Sequence, residues 1–117
     1  EVGLEQIAAW NPDMVFVVHY GGDSQVAAQS LLDSPLWQGL KATDAGQIYG
    51  YPADYASWDL IDPRWILGEQ WLVKTIHPER AQDLDIIAQV KDFYRVLYRL
   101  SDATIEASIL PKLEELQ

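Results

Sequence analysis

Met14-Val15-Phe16-Val17-Val18 is an unbroken apolar run rich in β-branched side chains, and it stops at His19-Tyr20-Gly21-Gly22. A run of this length between turn residues predicts a strand covered on both faces, as in a parallel sheet flanked by helices. Asp23-Ser24 follow at once, an N-cap for a helix through Val26, Ala27, Ser30 and Leu31. A strand that turns directly into a helix restricts the chain to α/β layers.

The flanking segments extend the pattern. Leu4, Ile7, Ala8 and Trp10 keep helical spacing until Asn11-Pro12-Asp13, where proline disfavours the helical conformation of the residue before it. Asp33-Ser34-Pro35 breaks the second helix, Leu36–Leu40 is a helical turn, and Ala45-Gly46 leads into a second strand over Gln47–Tyr51. The segment 52–59 is a loop crowded with aromatic residues. Pro63 suits the first turn of a helix that runs to Ile76, with Trp65, Leu72 and Ile76 as its stripe and Ile66 and Val73 beside it. Ile86, Val90, Phe93, Leu97 and Leu100, with Ile87 and Tyr94, form the clearest amphipathic helix. A last segment starts near Ser101-Asp102 and is interrupted by Pro111. The expected fold is a small parallel-type sheet flanked by helices. Two strands are few for such a sheet, so further strands are expected from chain upstream of Glu1.

Length and charge narrow the function. At 117 residues the chain reads as one domain, 1–117, and its apolar content supports a packed core. Eight basic residues face eighteen acidic ones, for a net charge of -10, and no Lys or Arg precedes Lys41. A phosphate backbone needs clustered cations, so nucleic acid is not an expected partner, nor is an anionic membrane surface. There is no cysteine to make a disulfide or a thiolate metal site. No apolar run reaches the ~18–20 residues of a membrane span. The chain opens inside a helical pattern without an initiator Met, and reads as a processed or excised piece of something longer.

Catalytic signals are weak. Gly21-Gly22-Asp23-Ser24 approaches a nucleophile turn but does not match G-x-S-x-G spacing. A small hydrolase using His19 with Ser24 or Asp23 is an alternative, as is an acidic protein-docking module. His19 and His77 lie far apart and in no metal-binding frame; His77 suits a helix C-terminus. His19 and Tyr20 follow a strand, and in open α/β sheets the carboxyl ends of strands face the ligand crevice. The loop after the second strand carries Tyr51, Tyr55, Trp58 and Asp59, then Arg64. Aromatic faces with one planar guanidinium suit a flat anionic or aromatic ligand, and packing of the loop with Arg64 held by Asp59 or Asp62 is the competing account. Both loops should leave the same sheet edge. Glu5 sits in the first turn of a helix that precedes a strand, which places it on the rim of that edge.

These segments resemble a known family in order along nearly the whole chain. Leu4–Val18 resembles the helix–strand unit of the C-terminal lobe of ABC-importer binding proteins for ferric siderophores, haem and cobalamin. Residues 33–42 and Gly46-Gln47-Ile48-Tyr49 look like the turn into that lobe's next strand. Ser57-Trp58-Asp59 with Pro63–Gly68 is similar to its loop-to-helix signature, and residues 92–98 to the tail of its iron-complex branch. The resemblance implies a Rossmann-like lobe of a bilobal protein that clasps a metal chelate without catalysis and without a resident cofactor. It further implies a permease partner docked through Glu5, and ligand contacts from Tyr55, Trp58 and Arg64 beside the His19 and Tyr20 expected from strand order. The location would be periplasmic or extracellular, with a lipoprotein anchor in the full-length protein as one form. An isolated lobe with an unpaired strand edge would invite self-association.

Overall fold

The computed structural model describes residues 2–117. Within the span read as one domain, contacts gather into two compact units, one up to Tyr51 and one from Pro52 to Gln117.

The first unit is a strand–helix–strand layer preceded by a helix. Helix α1 (Leu4–Trp10) ends at Asn11, which adopts a left-handed conformation with φ 43°; asparagine tolerates that conformation and so closes helices. The Asn11 side chain then accepts from the Lys41 backbone N–H at 3.0 Å, at the start of α3 (Lys41–Asp44). Strand β1 (Val15–Val17) pairs in parallel with β2 (Ile48–Gly50), with Val15 opposite Ile48, Phe16 opposite Tyr49 and Val17 opposite Gly50. Helix α2 (Ser24–Leu32) and the 3-10 turn Pro35–Trp37 lie between them in sequence.

Strand alternation decides the core. Ala28, Ala42 and Ile48 form a buried cluster, with Val15, Val17, Leu31, Leu32 and Trp37 packed against it. On the opposite face Phe16 and Tyr49 stack, ring centroids 5.7 Å apart. The expectation that β1 is covered on both faces needs correction, because all three of its residues are only half-buried. One face packs on the α2 side, and the other carries a stacked aromatic pair.

Gly50 sets how closely α2 approaches the sheet. A Cβ at Gly50 would lie 2.4 Å from the Ser24 carbonyl carbon and 2.5 Å from the Gln25 nitrogen. Glycine therefore lets the first turn of α2 rest on the strand backbone, and Gln25 Nε2 donates to the Gly50 carbonyl at 2.8 Å.

The second unit packs α4 (Trp65–Ile76) on α5 (Ile86–Leu97), and α5 on α6 (Asp102–Ser108), followed by 3-10 turns at Leu110–Lys112 and Glu114–Leu116. Asp85 caps α5 by accepting from Ala88 N at 3.0 Å, and Ser101 caps α6 by accepting from Thr104 N at 3.2 Å. The expected stripe of α4 is corrected too: Leu67, Gly68 and Trp71 are buried, while Trp65, Ile66, Val73 and Ile76 are exposed. This helix is apolar around most of its circumference, so periodicity alone could not choose its buried side. On α5 the buried stripe is Ile86, Val90, Phe93 and Tyr94, and it stops short of Leu97, which is exposed. Arg99, with φ 55°, turns the chain out of the helix there.

Candidate functional site

In the parallel register Val17 stands opposite Gly50, so both strands end at the same edge of the sheet. Tyr51 N–H donates to the Val17 carbonyl at 2.8 Å, which carries that pairing one residue past β2.

Past β1 the chain makes a tight turn. Gly22 N–H donates to the His19 carbonyl at 3.1 Å, and His19 N–H donates to the Ser24 hydroxyl at 2.9 Å. Asp23 accepts from Gln25 N at 2.7 Å and Val26 N at 3.2 Å, closing the first turn of α2. The imidazole of His19 lies on Gly22, where a Cβ would come within 2.8 Å of its Cε1. His19 is exposed, and Tyr20 beside it is 71 % exposed. The buried Ser24 hydroxyl holds the backbone of this turn, as a capping residue does, and so does not present itself as a nucleophile.

The loop that opens the second unit is built on one carboxylate. Ala53 and Ser57 form an antiparallel bridge, with Tyr55 between them. Asp54, whose side chain is fully buried, accepts from Tyr55 N–H and from Ala56 N–H at 3.2 Å, which fixes that turn. It also accepts from the Trp58 indole N–H at 3.1 Å, from Arg64 Nε at 2.9 Å and from the Tyr94 hydroxyl. A buried carboxylate is tolerable only when it is paired and fully hydrogen-bonded, and five donors meet that condition.

Arg64 is equally committed. Its Nη1 donates to Asp62 at 2.6 Å and its Nε to Tyr94 Oη at 3.2 Å, with the guanidinium 5.7 Å from the Tyr98 ring centroid. Burial on its own would lower the Arg64 pKa, but Tyr94, Asp54 and Asp62 raise it above the ordinary arginine value. Burial chiefly, and donation to Asp54, hold the Tyr94 hydroxyl well above the usual tyrosine range, with Arg64 pulling partly the other way.

Of the residues singled out from sequence, His19 and Tyr20 lie together in the first unit, and Trp58 and Arg64 are brought together through Asp54 in the second. Trp58 needs correction as a ligand contact: it is fully buried, so its ring offers no surface and instead packs the loop. Tyr55 stands 65 % exposed at the turn, its hydroxyl donating to the Ser108 carbonyl at 3.3 Å. Glu5 is exposed in the first turn of α1. Sequence reasoning missed Asp54 and Tyr94, because a lone Asp in a loop and a Tyr on an apolar helix face carry no spacing signal. Among the described residues no cluster of three His, Asp or Glu side chains is arranged to hold a metal ion, and no helix is long and apolar enough to cross a membrane.

Comparison with known proteins places this geometry. Residues 1–55 match the periplasmic binding protein family. The molybdate-binding protein MolA of Haemophilus influenzae is 30 % identical over 102 residues, which cover 86 % of this chain and 28 % of MolA. Its molybdate-bound structure superposes with a TM-score of 0.68. Helicobacter pylori CeuE, solved as a nickel–histidine complex, is 28 % identical with a TM-score of 0.75, over 93 % of this chain and 34 % of CeuE. A periplasmic solute-binding protein of Veillonella parvula, 22 % identical over the whole chain and 37 % of its own, shares the fold with a TM-score of 0.72. The chain thus spans about a third of the length of the proteins it resembles. With parallel strands ending together and helices packed beside them, the chain has the fold of a lobe of the periplasmic binding proteins and matches their family over residues 1–55.

Proposed function

We propose that this chain is the C-terminal lobe of the substrate-binding component of an ABC importer, a protein that captures a small metal-containing solute and hands it to a membrane permease without catalysis. The observation that carries the reading is the shared edge at which β1 and β2 end, since ligands of open α/β layers bind beyond the carboxyl ends of the strands. His19 and Tyr20 leave that edge directly, and the chain that leaves β2 leads into the loop bearing Tyr55. In this reading Tyr20 and Tyr55 contact ligand and His19 lines the crevice. Trp58 and Arg64 act by holding the Tyr55 loop in place.

The relatives bind molybdate and nickel. That moves the ligand away from the ferric siderophore, haem or cobalamin expected from sequence, towards a metal oxyanion or a compact metal complex. The permease would dock at Glu5, and the full-length protein would work outside the cytoplasmic membrane. One exposed ion pair of that kind contributes about 0–1 kcal/mol, so Glu5 orients docking more than it drives it.

Thermal unfolding of the full-length protein with molybdate, nickel–histidine, a ferric siderophore, haem and cobalamin tests the reading. A ligand present at about a hundred times its Kd stabilises by about 2.7 kcal/mol, a shift of several degrees. One of the first two compounds is expected to give that shift. No shift with any of the five would remove the reading.

A further inference from the structure

We infer that Lys112 is a ligand-selecting residue, and that it biases the site around Tyr55 towards anionic metal species. The inference rests on the reading of Tyr55 as ligand-facing. The Lys112 ammonium stands 4.6 Å from the centroid of the Tyr55 ring. An ammonium over an aromatic face is held by the ring quadrupole, and here it adds a positive charge to a surface otherwise presented as an exposed phenol.

Three observations separate this lysine from an ordinary surface cation. First, its backbone is fixed. Lys112 closes a 3-10 turn with Pro111, its N–H donates to the Ile109 carbonyl at 3.0 Å, and it lies between Ile109 and Leu113, both buried. Gln117 Nε2 donates to the Leu110 carbonyl at 2.8 Å and ties the following chain to the same turn.

Second, its charge is not spent on a carboxylate. Lys41, Arg64, Arg80, Lys91 and Arg95 each sit in an ion pair with an Asp or Glu, whereas Lys112, like Lys74 and Arg99, takes part in none among the described residues; of these three Lys112 alone is seen over an aromatic face. Glu114 stands two residues on in the sequence without pairing it, so seating on an aromatic face in place of a carboxylate keeps the positive charge available. In a chain of net charge -10, an anionic ligand is repelled by the general field and needs a local cation to offset it.

Third, the tyrosine and the lysine form one assembly. Tyr55 Oη donates to the Ser108 carbonyl at the end of α6, so the turn that bears Lys112 and the loop that bears Tyr55 are bonded to each other at two points. Asp54 fixes the other side of that loop. Tyr55 and Lys112 are therefore presented to a ligand as a pair.

The test is titration of the full-length protein and its Lys112→Met, Lys112→Arg and Tyr55→Ala variants at low and at physiological ionic strength. The probes are sodium molybdate, iron(III) tris(catecholate) and nickel(II)–histidine. The expected result is a five- to tenfold loss of affinity for the anion that binds in Lys112→Met, a flatter dependence on salt, and retention of both in Lys112→Arg. A purely structural lysine would lower the melting temperature without changing the salt dependence. Unchanged affinity and salt slope in Lys112→Met, alongside weakened binding in Tyr55→Ala, would overturn the inference and leave the Tyr55 reading standing. Binding of nickel–histidine but of neither anion would overturn it as well. Wild-type affinity in Tyr55→Ala would instead bring down the reading on which the inference rests.

Discussion

Asp54 is the residue on which the second unit's loop depends, and its environment makes its removal costly. Asp54→Ala would leave Arg64 with Asp62 as its remaining carboxylate and strip the Trp58 indole and the Tyr94 hydroxyl of their acceptor, and breaking a buried pair in this way costs about 3–5 kcal/mol. Tyr94→Phe removes one donor and leaves the rest, so about 1–3 kcal/mol is expected. Urea unfolding of the two variants should rank them in that order. Tyr94 also sets a pH dependence. Its folded pKa is raised, by burial first and by donation to Asp54 next. Its contribution to stability is therefore whole below the ordinary tyrosine value of about 10 and is lost as pH rises through the folded value. Stability should fall as pH climbs from there, and Tyr94→Phe should show a smaller fall than the parent. In the first unit Gly50→Ala would drive a methyl group into the backbone of Ser24 and Gln25. Overpacking of this kind costs about 1–3 kcal/mol, read as a lower denaturation midpoint.

At the scale of elements, helix ends and strand positions were legible because their causes are local. Asn11-Pro12 ends α1 and Asp23 caps α2 where the residue types require, and the helix stops at His77 ahead of Pro78. Asp23→Ala should cost about 0.5–2 kcal/mol through loss of the cap, measured by thermal melting. Burial was less legible, because it depends on what packs against each face. Val15, Phe16 and Val17 are all apolar, so nothing in their order says which face meets α2 and which holds the Phe16–Tyr49 stack. The same holds for α4, where Trp65 and Trp71 look alike in sequence and differ in exposure. The candidate site divided similarly. Tyr20 and Tyr55 follow strand ends, a position visible in the sequence. Asp54, Tyr94 and Lys112 enter through contacts over long sequence separations, which no spacing rule encodes.

For the whole molecule, the two-stranded sheet leaves each strand one edge without a β partner among the described residues, and α4 shows Trp65, Ile66, Val73 and Ile76 to solvent. Open edges and apolar faces promote association. The 117-residue chain alone should therefore gain apparent mass with concentration in light scattering, and a strictly monomeric particle at high concentration would count against this. In the full-length protein the segments leaving β1 and β2 are each proposed to touch the ligand. The most direct measurement is a crystal structure of that protein with whichever probe binds, molybdate or nickel–histidine. The side chains of Tyr20 and Tyr55 are each expected within about 4.5 Å of the bound species, with Trp58 making no contact with it. A ligand seated where neither tyrosine touches it would overturn the proposed site.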